Sequence, residues 1–284
     1  MIAVVTDSTC DLRQDELETL RVERVPLFVN FRGEMFKDWL EIDPKEIARG
    51  VAEGADIPTT SQPSPQDFER AFQAAAAAGA DEIVCITISS ELSGTFQSAN
   101  LAKDNVEVPV HVFDSRAASI GLGDMVKKAA ELRDRGASAP EVLGALEHIR
   151  DNNFLLFTVA SMDFLQKNGR IGGAQAMLGS LLNIKPLLTV KEGKVEPAGR
   201  VRGLKKAIKE LVSQTQDYAA KHSGELVISF LHIQDTAAAE TLQSAIKDAG
   251  VRFKNGGTYE IGAVIASHVG PGTFGVYMHT EPPS

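Results

Sequence analysis

The sequence is poor in cysteine and in large aromatic side chains, and it lacks a long apolar run. Its 284 residues include two cysteines, one tryptophan and three tyrosines. Cys10 and Cys85 lie far apart in the chain, so neither a disulfide framework nor a cysteine-based metal site is predicted, and we interpret each as a small buried apolar residue. No apolar stretch approaches the ~20 residues that a membrane-spanning helix needs. The sequence therefore predicts neither a disulfide-rich protein nor an integral membrane protein.

Positive charge is also in short supply. Lysine and arginine together number 29 against 38 aspartates and glutamates, which gives a formal net charge of -9. This balance disfavours nucleic acid or an anionic membrane as the main partner. The chain opens on a strand-like segment, 1–7, and not on the basic and apolar regions of a signal peptide. We therefore expect the mature protein to begin here and to be cytoplasmic.

Short β-branched runs alternate with helical patterns, a rhythm that is typical of parallel sheets covered by helices. The predicted strands lie near 2–6, 82–89, 108–113, 154–159, 185–190, 194–201, 226–231, 259 and 276. The predicted helices lie near 68–78, 96–101, 117–135, 139–151, 161–167, 174–182, 204–222 and 236–248. Glu192 and Gly193 separate two of the strands and indicate a β-hairpin.

The pattern restarts near Asn152, and the length of the chain suffices for two ordinary domains. We predict an α/β fold in which domain 1–152 is built on a mainly parallel, helix-covered sheet. A stretch at 25–43 mixes aromatic and charged residues and predicts a small β excursion at the rim of that sheet. A second α/β domain, 153–284, follows, and a ligand cleft is expected between the two.

Four short polar motifs stand out from this background. They are PTTSQPS at 58–64, LSGT at 92–95, NGRIGG at 168–173 and HVGPG at 268–272. The first two offer hydroxyls and backbone N–H groups near predicted helix starts, where partial positive charge favours an anion. The last two offer one guanidinium and one imidazole. Pooled in one place, these groups suit a carboxylate or an acyl phosphate.

Each motif also has a plain structural interpretation. Ser64, followed by proline and by an acidic residue at the third helical position, is typical of a helix N-cap. A serine such as Ser93, at a strand-to-helix turn, is more often a cap than a ligand, although such turns are also where ligands bind in open α/β sheets. Arg170 and His268, taken singly, are as typical of a surface ion pair and of a structural histidine. Thr60 and Ser61 precede the Ser64 cap and are expected in a loop, with hydroxyls that face the cleft.

Together with VTDST at 5–9, these motifs resemble the DegV family in order and spacing over essentially the whole chain. The resemblance implies a two-domain, EDD-type α/β fold that buries a long-chain fatty acid between its domains. It also implies the role of the fatty-acid-binding subunit of bacterial fatty acid kinase, which presents the carboxylate to a separate ATP-binding kinase subunit for acyl phosphate formation.

The resemblance further implies roles for individual residues. Thr60, Ser61 and Ser93 are implied to hold the carboxylate, with Gly94 and Thr95 adding backbone or hydroxyl contacts. Arg170 and His268 are implied to face the head group once it carries a phosphoryl group. No cofactor or metal is implied.

The residues themselves also favour binding over catalysis. Within the motifs no acid accompanies His268, so no catalytic triad is indicated, and no glycine-rich phosphate loop ends in Lys-Ser or Lys-Thr. We therefore predict a lipid-binding protein that is not itself an enzyme and that receives the phosphoryl donor from a partner. Two alternatives stay open: an enzyme that acts on a small acidic or phosphorylated substrate, and a fatty acid carrier without a kinase partner.

Two further segments have expected roles. The run 176–184, continued by 186–188, is apolar enough to form the wall of a tunnel for the acyl tail, and a core helix explains it equally well. Five cations concentrate after the hairpin: Arg200, Arg202, Lys205, Lys206 and Lys209. A solvated helix face explains them, and a docking patch for the kinase subunit or for transient contact with a membrane surface is the alternative hypothesis.

Overall fold

The computed structural model describes residues 1–178 and 184–283. In these ranges the strands are β1 (Ile2–Asp7), β2 (Val22–Val25), β3 (Phe28–Phe31), β4 (Glu34–Lys37), β5 (Thr59–Ser61), β6 (Glu82–Thr87), β7 (Val110–Asp114), β8 (Asn153–Thr158), β9 (Ile184–Lys191), β10 (Lys194–Arg202), β11 (Leu226–His232), β12 (Lys254–Glu260) and β13 (Phe274–Thr280). The α-helices are α1 (Gln14–Leu20), α2 (Pro44–Ala52), α3 (Pro65–Ala77), α4 (Thr95–Ala102), α5 (Ile120–Asp134), α6 (Ala139–Asp151), α7 (Asp163–Lys167), α8 (Leu204–Lys221), α9 (Thr236–Asp248) and α10 (Ala263–Val269).

The first sheet is parallel throughout, with strand order β2-β1-β6-β7. Its central strand β6 is buried at every residue after Glu82, as expected for a parallel strand that is covered on both faces. The predicted helix-covered parallel sheet is therefore confirmed. Ligand-binding loops of such sheets follow the carboxyl ends of the strands, which here are the segments after Asp7, Val25, Thr87 and Asp114.

The second sheet has the order β10-β9-β8-β13-β11-β12, and β11 with β12 is its one parallel pair among the described strands. The sequence predicted a mainly parallel sheet for the first half alone, and for this half it predicted a further α/β domain with one hairpin, without the direction of the other strands. The last strand, β13, returns between β8 and β11 and pairs antiparallel with both. An α/β alternation fixes the order of elements in the chain, whereas strand direction depends on where the final strand inserts.

A third, three-stranded sheet has the order β4-β3-β5. Residues Thr59–Ser61, expected in a loop, instead form β5, with Thr60 paired to Val29 of β3. The pairing is long-range, so the local sequence carries no signal for it. The six-stranded sheet begins at Asn153, while the strands of the other two end by Asp114. The division into two domains at residue 152 remains a prediction.

Helix α5 connects the two larger sheets through one continuous apolar core. Leu122 and Met125 of this helix belong to the same buried cluster as Val84 of β6 and Tyr277 of β13. Gly121 lets the tyrosine ring approach the helix, because a Cβ at that position would lie 3.0 Å from the Tyr277 ring. The two halves of the chain are therefore packed against each other, and the space left between them is a candidate ligand cavity.

Local signals placed most helix boundaries correctly. Ser64 caps α3 and Ser138 caps α6, each through a reciprocal pair of hydrogen bonds with the acidic residue three positions later. The helix predicted at 174–182 is replaced by a 3-10 turn at Gly172–Met177, and residues 179–182 lie outside the described residues. Helices α1, α2 and α10 were not predicted. For α10 the reason is clear, because no side chain at Gly262 can cap its start.

Candidate functional site

A cavity of about 320 Å³ lies between the two halves, beside α10 and the carboxyl edge of the parallel sheet. Most of its lining is apolar: Leu27, Ile88, Leu92, Ala118, Leu155, Phe157, Leu165, Val190, Val195, Leu231, Ile261, Val264, Ile265 and Val269. The polar lining residues are Thr60, Ser61, Gln62, Ser93, Ser119, Arg170, His268 and Thr273. Arg170 is the one arginine or lysine in this lining, and no acidic side chain belongs to it among the described residues. An apolar ligand with an acidic end fits this lining.

Thr60 and His268 form the best-defined polar contact of the cavity. Thr60 Oγ1 lies 2.8 Å from His268 Nε2, although the two residues are 208 positions apart in the chain. Burial, reinforced by the nearby Arg170 charge, lowers the pKa of His268 to about 4, so the imidazole is neutral at pH 7. His268 Nδ1 is buried and has no hydrogen-bond partner among the described residues.

Ser93 and Ser61 flank this pair with hydroxyls that already accept a hydrogen bond. Ser93 Oγ accepts from the backbone N–H of Thr95 at 3.3 Å and lies 2.9 Å from Thr95 Oγ1. Ser61 Oγ accepts from Asn30 Nδ2 at 3.0 Å. Because each serine oxygen accepts from a neighbouring N–H, its own proton can be donated to a ligand in the cavity.

Arg170 lies at the exposed mouth of the cavity and is anchored through two backbone carbonyls. Its Nε donates to the Leu92 carbonyl at 3.0 Å, and its Nη1 donates to the Asn168 carbonyl at 2.8 Å. No described carboxylate lies within ion-pair distance of the guanidinium. Its charge therefore remains available to an anion at the mouth.

The structure brings five of the seven predicted site residues together on the cavity wall: Thr60, Ser61, Ser93, Arg170 and His268. The other two, Gly94 and Thr95, lie directly behind Ser93 and are not part of the lining; Thr95 is fully buried. A Cβ at Gly94 would collide with the amide of Gln62, so this glycine makes room for a polar lining residue. The binding roles of all seven remain predictions.

Sequence reasoning missed three polar lining residues, Gln62, Ser119 and Thr273. Gln62 lies within the motif at 58–64, and its amide nitrogen donates to Ser98 Oγ at 3.2 Å. Ser119 has φ 55° and ψ -142°, a strained conformation for a residue with a side chain, and its hydroxyl donates to Asp11 Oδ2 at 2.5 Å. No local sequence signal marks that serine.

Buried carboxylates stabilise the start of α10 from below the cavity. Asp11 Oδ1 accepts from the N–H of Gly262 at 3.0 Å, and Asp38 Oδ1 accepts from the N–H of Val264 at 3.2 Å. Burial raises the pKa of Asp38 to about 7 and that of Asp11 well above its usual range, and repulsion from the Asp38 charge raises the pKa of Asp11 further. These side chains supply the N-terminal hydrogen bonds that the helix itself lacks.

Another buried acid, Asp7, holds the loop that follows β6. Its Oδ2 accepts from the N–H of Ile88, a cavity residue, at 2.7 Å. Burial raises the pKa of Asp7 to about 6 despite hydrogen bonds from Thr9. Three carboxyls that do not line the cavity therefore hold two of the segments that do.

The described part of the predicted tunnel wall does not line the cavity. Of the described residues in that segment, none of 176–178, 184 or 186–188 lines the cavity, and residues 179–183 lie outside the described part of the chain. Leu187 and Leu188 are fully buried in the core. The apolar wall comes instead from β8, from the hairpin residues Val190 and Val195, and from α10. An apolar run indicates burial and does not indicate which cavity it borders.

Two other classes of feature are absent from the part of the chain that the structure describes. Within residues 1–178 and 184–283 no group of three or more histidine, cysteine or acidic side chains is arranged to hold a metal ion. Over the same ranges no helix is both long enough and apolar enough to cross a bilayer.

The chain is similar to known proteins over nearly its full length. A family model described as "Uncharacterised protein, DegV family" matches residues 1–281. A DegV domain-containing protein of Deinococcus radiodurans is 43% identical over 277 residues, covering 98% of each chain.

Solved structures show the same likeness. A fatty-acid-binding DegV family protein from Thermus thermophilus has 47% identity and a TM-score of 0.94, over 98% of this chain and 99% of that one. A stearic acid-binding protein from Eubacterium ventriosum has 26% identity and a TM-score of 0.90, over 99% of each chain. With a family match over almost every residue and a relative at 43% identity, this protein belongs to the DegV family.

Proposed function

We propose that this protein binds a long-chain fatty acid in the cavity and presents its carboxylate, at the polar mouth, to a separate ATP-dependent kinase subunit. The fatty acid ligands of the Thermus thermophilus and Eubacterium ventriosum proteins support the first half of this proposal. The hydroxyls of Thr60, Ser61 and Ser93 support binding of the carboxylate.

A carboxylate only accepts hydrogen bonds, so each group that holds it must donate one. Thr60 Oγ1, Ser61 Oγ and Ser93 Oγ each lie within hydrogen-bond distance of a neighbouring group. Asn30 Nδ2 donates to Ser61 and the N–H of Thr95 donates to Ser93, whereas His268 Nε2 can donate to Thr60 in one of its two tautomers. With their oxygens occupied in this way, the hydroxyls can donate their protons to a ligand carboxylate. The presence of these three residues on the wall of one largely apolar cavity is the observation on which the proposal rests.

The geometry also favours one tautomer of His268 in the fatty acid complex. Thr60 has a single hydroxyl proton, so donating it to the carboxylate requires that His268 Nε2 carry a proton and donate to Thr60 Oγ1. Nδ1 is then a bare acceptor, which suits its buried position without a partner among the described residues. Neutral hydroxyls backed by a neutral imidazole bind the carboxylate without burying a fixed cation.

The apolar lining provides the affinity for the tail. Burying a methylene contributes about 0.8 kcal/mol, so a tail of about 16 carbons supplies most of a tight affinity before the costs of ordering the ligand are subtracted. Val190 and Val195 of the β9-β10 hairpin and Val264 and Ile265 of α10 contribute to this apolar lining. The acyl tail and the carboxylate would therefore both bind to the lining of this one cavity.

The position of the polar groups supports presentation of the carboxylate to a kinase. Ser61, Gln62 and Arg170 are exposed, so a carboxylate held among them can be reached from solvent. In the proposed transfer a carboxylate oxygen attacks the γ-phosphorus of ATP, the bond to the β-phosphate oxygen breaks, and acyl phosphate and ADP result. Arg170, without a described carboxylate partner, would then balance the added charge.

The basic patch is the proposed contact for the kinase subunit. Its five members, Arg200, Arg202, Lys205, Lys206 and Lys209, are all exposed, and none is ion-paired among the described residues. On a chain of net charge -9, such a patch would direct an acidic partner surface to one place.

Fatty acid binding is tested with purified protein from which lipid has been removed. Native mass spectrometry should show one fatty acid per chain before that treatment, and calorimetry should show rebinding afterwards. Thr60→Val removes the hydroxyl and should weaken binding about tenfold, whereas Thr60→Ser retains it and should bind nearly as the wild type does. Equal affinity of the valine and serine variants would contradict the proposed head-group site.

Kinase coupling is tested by adding a kinase subunit and ATP and trapping acyl phosphate with hydroxylamine. Arg202→Glu should lower turnover while fatty acid affinity stays unchanged, and Lys221→Glu, at the far end of α8, is the matched charge reversal. Turnover by the isolated chain would support an enzyme of small acidic substrates instead. Fatty acid binding without acyl phosphate under any condition would support a carrier.

A further inference from the structure

One residue outside the cavity lining contacts the chain beside each of three head-group residues. Asn168 is the residue that ends α7, and its side chain is nine-tenths buried. Its Nδ2 donates to the carbonyl of Pro58 at 3.1 Å and to the carbonyl of Ser267 at 2.8 Å. Pro58 lies two residues before Thr60, and Ser267 lies directly before His268.

The backbone of the same residue anchors the third head-group side chain. The Asn168 carbonyl accepts from Arg170 Nη1 at 2.8 Å, and Arg170 Nε in turn reaches the carbonyl of Leu92, next to Ser93. Gly169, at φ 67°, provides the left-handed turn between the asparagine and the arginine. Asn168 therefore connects segments that are 110 and 99 positions away in the chain.

The chemistry of this position is specific to an amide. Two carbonyl oxygens converge on one atom, so that atom must be a donor with two protons, which fixes the orientation of the amide. Aspartate has the same shape, but its carboxylate oxygen would face the carbonyl oxygens of Pro58 and Ser267 without a proton to donate. Alanine would leave two buried carbonyls without their partner, at a cost similar to that of a lost buried hydrogen bond for each.

We propose that Asn168 is a positioning residue for the fatty acid head group: it holds the loops of Thr60, Arg170 and His268 in register without touching the ligand. The inference rests on the proposed function for its effect on fatty acid affinity. Its structural part, that the amide sets the contact between Thr60 Oγ1 and His268 Nε2, holds whatever the ligand is. The two parts can therefore be tested separately.

The test uses the full-length protein, delipidated, with palmitate as the probe. Asn168→Asp and Asn168→Ala are compared with Thr158→Val, which removes another buried donor to a distant carbonyl, that of Pro186, away from the cavity lining. Both Asn168 variants should weaken palmitate binding about tenfold, whereas Thr158→Val should lose stability and keep its affinity. A merely structural role would give all three variants the same unchanged affinity, and that result would overturn the proposal.

Two readouts separate this inference from the proposed function. Without ligand, the imidazole NMR signals of His268 should titrate at a higher pH in Asn168→Ala than in the wild type, because loosened packing lets water reach a ring whose pKa is lowered by burial. With ligand, the loss caused by Thr60→Val should largely vanish in an Asn168→Asp background, since both changes disrupt one unit. If the wild type fails to bind palmitate, the proposed function fails and the titration alone decides on Asn168. An unchanged His268 titration would then refute the positioning role.

Discussion

Replacing Asp38 by asparagine should change how the stability of the protein depends on pH. Burial raises the pKa of this carboxyl from 3.8 to about 7, so the folded protein retains a proton that the unfolded chain releases. The stability that this group contributes is fully present below about pH 4 and is lost as the pH rises through about 7. In the Asp38→Asn variant the amide would not titrate, and its side-chain carbonyl could still accept from the N–H of Val264.

The size of the effect follows from the shift in pKa. A difference of about three pH units between folded and unfolded states, at about 1.4 kcal/mol for each unit, corresponds to about 4 kcal/mol. The difference in free energy of unfolding between Asp38→Asn and the wild type should therefore increase by a few kcal/mol, in favour of the variant, from pH 4 to pH 8. Loss of repulsion toward Asp11 acts in the same direction, because the pKa of that carboxyl is raised by its neighbour.

Urea unfolding at pH 4, 5, 6, 7 and 8, followed by circular dichroism, measures this difference. Asp217→Asn, which removes an exposed carboxylate from α8, controls for the loss of one negative charge. A constant offset between Asp38→Asn and the wild type over the whole range would refute the reasoning, because it would mean that Asp38 does not retain its proton in the folded state.

Three further changes test packing and helix capping outside the cavity lining. Tyr277→Phe removes a fully buried hydroxyl that has no hydrogen-bond partner among the described residues, and it should keep or raise the melting temperature; a clear fall would reveal an unrecognised partner. Gly193→Ala should destabilise by more than Gly33→Ala: both glycines have positive φ, but a Cβ at Gly193 would also collide with the Ser89 hydroxyl, whereas Gly33 has open space. Equal losses in urea unfolding would contradict this. Ser138→Ala removes the cap of α6 and should lower the free energy of unfolding by about 1 kcal/mol in the same assay. An unchanged free energy would mean that solvent caps the helix equally well and would contradict the prediction.

Elements with strong local signals were predictable from the sequence. The span of α6 was predicted without error because Ser138, Pro140 and Glu141 mark its start, and α9 was predicted with the same accuracy. The hairpin of β9 and β10 was found from its Glu192-Gly193 turn. In each case the residues that determine the element lie inside it or next to it.

Elements that depend on distant partners were missed. Helix α10 begins on N–H groups that Asp11 and Asp38 satisfy, from 251 and 226 positions away. Strand β5 exists because it pairs with β3, and the direction of β13 depends on strands from other parts of the chain. No window of local sequence contains this information.

The candidate site shows the same division. Thr60, Ser61, Ser93, Arg170 and His268 could be named from motifs, and the cavity does collect them. Three features of the site could not be predicted from motifs, because each depends on the packing of one loop against another. They are the contact between Thr60 and His268, the anchoring of Arg170 on backbone carbonyls and the role of Gly94 in accommodating Gln62.

The first N–H groups of α10 are satisfied by carboxyls from distant parts of the chain, and this affects hydrogen exchange and the order of folding. With seven residues the helix is too short to be stable alone, since isolated helices of fewer than about 12 residues are marginal in water. It can form only after the loops that carry Asp11 and Asp38 have reached it. The exchange protection of α10 should therefore depend on these two carboxyls, and loss of either should speed the exchange of its amides with solvent. A bound ligand that contacts this helix would slow the exchange.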